Sequence, residues 1–409
     1  MHVNSSIARM KESATLAVSA RAAALKAEGV DVVGFGVGEP DFDTPVAIKE
    51  AAIRAIQSGR TKYEATPGTV EARKAIAAKL QGENGIPVQW QQVSITCGAK
   101  HAVAMSLQLL LEPGRGDEVI LPTPAWVSYK PLIELAGGRC VEVAGGIQHG
   151  YRVTAEQVEA AMTPRTVAIL LNSPSNPCGI AYPADELRAI AEVIAAHPGV
   201  AVLSDEIYEK LIYPEVTPGL AHWSPGSDPR LADRTITVNG LSKAYAMTGW
   251  RLGYVASPAN GGAWMKEFIK LQGQQTNNVS SFAMPAIVEA LANGAAEVER
   301  MRQSFAARAI LVHRRLQSMP RLSTVPSNGA FYSFPDVSRC MGLSTPRGRR
   351  IDGAQSFAEA LLDEHAVAVV PGEDFGECAR RNIRISFACS EAQIEKGLSR
   401  LGEFVTSLR

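Results

Sequence analysis

The sequence predicts an α/β protein: a mostly parallel seven-stranded sheet covered by helices, followed by a smaller α+β domain. Three observations carry this expectation. Seven short apolar runs between residues 93 and 256 mostly alternate with helical stretches, and near-continuous apolar runs are what a parallel sheet buried on both faces requires. After Pro285 the alternation gives way to a long helical stretch and then short strands. At 409 residues the chain is also too long for one simple core and suggests roughly two or three domains.

Taken in order, residues 4–28 carry a helical pattern (Ile7, Met10, Leu16, Ala17, Ala20, Ala24, Leu25) that Gly29 is expected to stop. The following VVGFGVGEP has the glycines of a dinucleotide loop, but that fingerprint must open a helix, and the segment from Pro40 to Pro45 cannot do so directly. A strand turning into an extended glycine loop, whose bare backbone can approach a small ligand, is the better account. Helices are expected from Pro45 to Ser58 and from Val70 to Leu80, with the turn Thr66-Pro67-Gly68 between them. The strand candidates are Val93 to Thr96, Glu118 to Leu121, Cys140 to Val143, Val167 to Leu171, Val200 to Leu203, Thr235 to Val238 and Leu252 to Ala256. One long helical stretch then covers Ala286 to Met319, with short strands near Gly329 to Phe334, Val367 to Val370 and Asn382 to Phe387. The expected domains are 1–44 (N-terminal helix and small-domain segment), 45–290 (large domain) and 291–409 (small C-terminal domain).

Composition excludes several classes. Lys+Arg and Asp+Glu are equal at 41 each, so nothing favours nucleic acid or another polyanion. Six cysteines lie scattered without metal-ligand spacing, as expected of reduced packing residues. No stretch approaches the roughly 20 apolar residues of a membrane span, and the first residues lack a signal-peptide core. A soluble, cytoplasmic protein without a bound metal is expected.

The chemistry centres on LSKAYAMTGWRLGY, from Leu241 to Tyr254, which sets Lys243 just beyond the β-branched run TITVN. Ligands bind at strand ends in α/β sheets. A lysine taken alone is a solvated loop residue, but small and apolar neighbours here favour a desolvated, nucleophilic amine. Other strand ends carry matching groups. Gly98 opens a helix whose N–H groups form a natural phosphate cradle; NSPSNPCG presents Asn176 between two prolines; SDEIY ends a strand on the carboxylate of Asp205. Pyridoxal phosphate would use all of them: an amine (Lys243), an anion for the ring nitrogen (Asp205), donors for the phenolic oxygen (Asn176, Tyr208) and a phosphate site (the Gly98 turn with Arg251).

The ordered set GEPDFDTP, TKYEATPG, NSPSNPCG, SDEIYE, SKAYAMTGWRLGY and RISFACS resembles the fold-type I pyridoxal phosphate aminotransferases, and looks closest to their bacterial aspartate/prephenate branch. The resemblance spans nearly the whole chain and implies the aspartate aminotransferase-like fold. It implies that Lys243 binds the cofactor as a Schiff base and then moves the Cα proton, with Asp205 on the ring nitrogen and Asn176 and Tyr208 on the phenolic oxygen. Gly98, Ala99 and Arg251 would bind phosphate, Trp126 in PAWVSY would stack on the ring, and Arg384 would grip the substrate α-carboxylate with Gly38 and Asn176 assisting. Tyr63 is similar to a tyrosine that reaches the neighbouring subunit's phosphate, which implies a homodimer with shared sites; by itself it is ordinary packing. Lys100 and Thr15 look like residues that bind a distal carboxylate, although either could be a solvated helix residue.

The sequence departs from the pattern at Cys178, where the turn usually has threonine, and at Gly240, where a phosphate-binding serine is usual and Ser242 or backbone would have to compensate. The implied reaction is ping-pong transamination of aspartate or glutamate with oxaloacetate or 2-oxoglutarate, with prephenate as a further acceptor. Alternatives are an aminotransferase for aromatic or other amino acids, a pyridoxal phosphate lyase on the same scaffold, and, ranked far last, a ligand-sensing regulator.

Overall fold

The computed structural model describes residues 3, 5–8, 10 and 14–409. The seven apolar runs become strands β1 (Val93–Cys97), β2 (Glu118–Thr123), β3 (Arg139–Ala144), β4 (Thr166–Asn172), β5 (Ala201–Asp205), β6 (Thr235–Gly240) and β7 (Leu252–Ala256). They form one sheet in the order β1-β7-β6-β5-β4-β2-β3. β7 alone is antiparallel to both its neighbours, and the other pairs are parallel. The strands read as continuous apolar runs because both faces are buried. In β4, Ala168 and Leu170 pack into the cluster containing Val103, Met105 and Phe268, whereas Ile169 and Leu171 pack with Leu187, Ile190 and Ile194 on the other side.

This topology places the chemistry. The C-terminal ends of β1, β6, β5 and β4 lie along one edge, so Gly98, Lys243, Asp205 and Asn176 all follow that edge. The antiparallel β7 begins there, with Leu252 opposite Cys97 and Gly253 opposite Gly240, and this brings Arg251 to the same place.

In the C-terminal region Val370–Pro371, Ile383–Ser386 and Tyr332–Ser333 form an antiparallel sheet with Ile383–Ser386 in the middle. Val33–Gly34 pairs in parallel with Val367–Ala368, so the segment after the first helices returns to the C-terminal elements before the glycine loop crosses to the large sheet. Helices Val46–Gln57 and Val70–Asn84 form as expected.

Three expectations need correction. The stretch from Ala286 to Met319 is two helices, Met284–Asn293 and Ala295–Gln317, broken at Gly294. A side chain there would sit 2.5 Å from the Ala290 carbonyl oxygen and 2.8 Å from Tyr245 Cε1, so only glycine lets the chain bend so close to Tyr245. The pattern over 4–28 divides into Ser5–Ala8 and Ala14–Ala27, with Met10 outside either helix; Gly29 does stop the second, at φ 85°. Of the six free cysteines, Cys178 and Cys340 are buried packing residues but Cys378 is exposed, because it sits on the surface turn Glu377–Ala379.

Candidate active site

A cavity of 370 Å³ opens at this strand edge, a size suited to a small cofactor and substrate. Its walls include Gly38, Ala99, Lys100, Trp126, Asn176, Asp205, Tyr208, Ser242, Lys243, Arg251 and Arg384, so residues far apart in the sequence converge on one volume.

Lys243 donates its Nζ to the Gly38 carbonyl at 2.7 Å and lies beside the rings of Tyr208 and Phe331. Burial pushes its ammonium down to about 8, with Arg384 and Arg251 acting in the same direction against the pull of Glu39 and Asp205. Asp205, 3% exposed, accepts from the Tyr129 hydroxyl at 2.7 Å and from the Ile207 N–H at 3.2 Å. Burial pushes its carboxyl up to about 6 despite those two bonds. A buried carboxylate with only neutral donors is short of a cation, and a protonated ring nitrogen is the partner that would relieve it.

Arg384 is short of an anion in the same way. It is 2% exposed, yet its hydrogen bonds go to neutral oxygens, Asn176 Oδ1 at 3.0 Å and Gly36 O at 2.7 Å, and its buried Nε has no partner. Its guanidinium lies 4.9 Å from the Tyr332 ring and 5.3 Å from Phe375. Because Asn176 turns its oxygen to Arg384, its Nδ2 is left as a donor. Asn172 holds Asn176 in place, accepting from its N–H at 3.1 Å while donating to the Asp205 carbonyl at 2.9 Å. The Tyr208 hydroxyl is 2.8 Å from that of Tyr332.

The anion corner is built from bare backbone. Gly98, φ 81°, precedes helix Ala99–Leu110; a Cβ there would lie 2.3 Å from Arg251 Nη2, and one on Gly253 would lie 2.4 Å from the Ala99 nitrogen. Small residues therefore keep open the space between a helix N-terminus and a guanidinium, which is the chemistry a phosphate needs. Arg251, itself in the left-handed region at φ 56°, is aimed by bonds from Nη1 to Thr248 O and from Nη2 to Cys97 O. Ser242 is buried on the same wall, while Gly240 packs against the Leu252 carbonyl, where a Cβ would come within 2.8 Å. A serine at 240 would therefore need the neighbouring strand to shift. Lys100 sets its Nζ 4.9 Å from the centre of the Trp126 ring, and burial, aided by Arg251, pushes its ammonium down.

Two expected residues stand apart. Tyr63 is 88% exposed and does not line the cavity. Thr15 belongs to helix Ala14–Ala27, but its side chain lies outside the described residues. The sequence reading also missed Tyr129, Tyr332 and Asn172, all of which line the cavity. Tyr129 and Asn172 sit inside motifs already singled out, PAWVSY and NSPSNPCG, whereas Tyr332 in GAFYSFP carries no local signal. A buried charge cluster behind the wall was missed too. Glu206 accepts from Ser204 at 2.9 Å and Ser224 at 2.6 Å and pairs with His222 at 3.0 Å, while Glu209 pairs with Lys79 and Asn84. Burial opposes the charge on Glu209, but Lys79 and His222 hold it at about 2.

The unpaired buried carboxylate, the amine of lowered pKa and the open phosphate cradle together fit pyridoxal phosphate. The chain matches the family model for aminotransferase class I and II over residues 30–401. It is 42% identical over 409 residues to the aspartate/prephenate aminotransferase of Cereibacter sphaeroides, covering 99% of each, and 41% identical to the aspartate aminotransferase of Geobacillus stearothermophilus, covering 98% of each. Among solved structures it superposes on the aspartate aminotransferase of Rhizobium meliloti with a TM-score of 0.94 at 41% identity, covering 100% of both chains. On that of Thermus thermophilus with maleate the TM-score is 0.90 at 39% identity, covering 99% of this chain and 100% of that one. The protein belongs to the class I and II aminotransferases, which depend on pyridoxal phosphate.

Proposed function

We propose that this transaminase moves the amino group of a dicarboxylic amino acid, aspartate or glutamate, to a 2-oxo acid such as 2-oxoglutarate or oxaloacetate, with prephenate as a further acceptor. The observation that carries the substrate class is that, besides Arg251 of the phosphate corner, two cations, Arg384 and Lys100, line the cavity of Lys243, and neither pairs with a carboxylate among the described residues. A substrate with two carboxylates would satisfy both. Maleate, named with the Thermus thermophilus enzyme, is such a dicarboxylate, and the relatives' names point to aspartate and prephenate.

When bound, pyridoxal phosphate supplies an aldehyde and an electron-withdrawing ring that accepts the electrons left by the departing Cα proton. The side chains do the rest. Asp205 would keep a proton on the ring nitrogen, and its bonds from Tyr129 and Ile207 favour the ionised form that this requires. Tyr208 and Asn176 Nδ2 would donate to the phenolic oxygen, the Gly98 turn, Ala99, Ser242 and Arg251 would hold the phosphate, and Trp126 would cover the ring. Arg384, with Gly38 and Asn176, orients the α-carboxylate, and Lys100, with Thr15, the distal one. Lys243 Nζ would hold the cofactor and, once released, take up the Cα proton, its lowered pKa keeping a useful neutral fraction near neutral pH.

Residues 45–290 serve in this reading as the cofactor-binding domain and 1–44 with 291–409 as the small one. The enzyme is a cytoplasmic homodimer in which Tyr63 reaches the partner's phosphate. The exposure of Tyr63, Val46 (64%), Ile53 (50%) and Ile56 (49%) supports a covered surface there; no described helix is long and apolar enough to cross a membrane. Mixing holoenzyme with aspartate in the absence of acceptor should release one oxaloacetate per site and shift the cofactor spectrum, with 2-oxoglutarate restoring it. Ammonia release, or no keto acid from aspartate or glutamate, would reject the proposal.

A further inference from the structure

We infer that Tyr332 is a positioning residue for this reaction: its hydroxyl directs the proton of Tyr208 into the cavity, and its ring holds the guanidinium of Arg384. Tyr332 is 1% exposed and Tyr208 4%, and their hydroxyls are 2.8 Å apart. The rings meet edge to face, with centroids 5.8 Å apart at 84°. The same Tyr332 ring faces Arg384, whose Cζ lies 4.9 Å from the ring centre. The placement follows from strand register: Tyr332 pairs with Ser386, two residues beyond Arg384 on the neighbouring strand.

The phenol has little freedom to move. Its carbonyl accepts from Ser327 Oγ at 2.7 Å and lies where a Cβ on Gly179 would come within 1.9 Å, so the NPCG turn packs directly on its backbone. Its hydroxyl lies where a Cβ on Gly38 would come within 2.3 Å. Gly38 is the residue whose carbonyl holds Lys243. One tyrosine thus touches the supports of the amine, of the phenolic-oxygen donor and of the carboxylate clamp.

Proton counting gives the hydroxyl its role. Each of the two phenols has a single proton, and only one can lie on the line between them. If Tyr208 donates to Tyr332, it has nothing to offer the cavity. If Tyr332 donates to Tyr208, the Tyr208 proton is free to point at an acceptor in the cavity, and the two bonds in series strengthen each other. An anionic phenolic oxygen in the cavity selects the second arrangement. The inference rests on the assignment of Tyr208 to that oxygen.

A donor there draws negative charge from the phenolic oxygen and so lowers the proton affinity of the nitrogen beside it. Spectrophotometric pH titration of the holoenzyme reads this directly. Tyr332→Phe keeps the ring and removes the hydroxyl; Tyr208 then still donates but without the strengthening of the second bond, so the midpoint of the visible band should rise by about 0.2 to 0.5 pH unit. Tyr332→Leu should in addition raise KM for aspartate roughly three- to tenfold, because the ring facing Arg384 is gone. In a Tyr208→Phe background, Tyr332→Phe should give no further shift. An unmoved midpoint in Tyr332→Phe, alongside a shifted one in Tyr208→Phe, overturns the positioning role alone, as does a full additional shift in the double variant. An unmoved midpoint in Tyr208→Phe removes the assignment of Tyr208 itself.

Discussion

Burial moves two groups of this site, Asp205 and Lys243, far from their ordinary ionisation. Asp205 has a folded pKa of about 6 against an ordinary 3.8, so the folded protein binds more protons than the unfolded chain between those values and stability falls as pH rises through that window. Asp205→Asn should therefore stabilise the apoprotein at pH 7.5 by up to about 3 kcal/mol while removing nearly all turnover. Urea midpoints should show the advantage shrinking as pH falls toward 4; an unchanged or lower midpoint at pH 7.5 would contradict it. Lys243 is displaced in the opposite sense, to about 8 from 10.5, so its amine becomes neutral as pH rises through 8. The rate at which apoenzyme captures cofactor should climb through that value, and Lys243→Ala should abolish both the capture and the visible band. For Arg384→Ala, loss of a buried clamp should lower kcat/KM for aspartate roughly a hundredfold, about 3 kcal/mol, with little change in cofactor retention. Single half-reaction kinetics beside a cofactor titration would separate the two.

At the scale of elements, the loop from Gly36 to Thr44 joins the two halves of the site. Gly36 and Gly38 offer carbonyls to Arg384 and Lys243, Glu39 accepts from Thr248, and Thr44 bonds Ala246 O at 2.7 Å and Trp250 Nε1 at 3.1 Å. Its far side is pinned to helix Ala295–Gln317, where Arg308 forks onto Asp41 at 2.6 and 2.9 Å and Phe42 packs edge to face on Phe305. Arg308 is nearly buried but Asp41 is partly exposed, so Arg308→Gln should cost roughly 2 kcal/mol, below the loss of a fully buried pair. Because the loop holds the Gly36 and Gly38 carbonyls, KM for the amino donor should rise with it. A destabilised variant with wild-type KM would show that the pair supports the fold and not the site.

At the scale of the whole molecule, the proposed homodimer with Tyr63 reaching across makes a prediction that no single chain can satisfy. Hybrids of Lys243→Ala and Tyr63→Ala subunits should contain one site with both residues intact, so mixing and refolding the two variants should yield activity above the sum of the parents. Simple additivity would mean that Tyr63 serves its own subunit or none. The sequence by itself determined the sheet, because strands buried on both faces must be apolar along their length; every expected run became a strand within two residues of its bounds. It also offered Lys243, Asp205, Asn176 and Arg251 as candidates, because together these groups at strand ends meet the needs of one cofactor, and the resemblance of the ordered motifs added Arg384. The tertiary structure decided what depends on contacts between distant segments. Tyr129 and Tyr332 are ordinary aromatics in the sequence, and only strand order and register bring their hydroxyls to Asp205 and Tyr208. The break at Gly294 and the glycine at 240 likewise answer to Tyr245 and to the Leu252 carbonyl, neighbours that local periodicity does not encode.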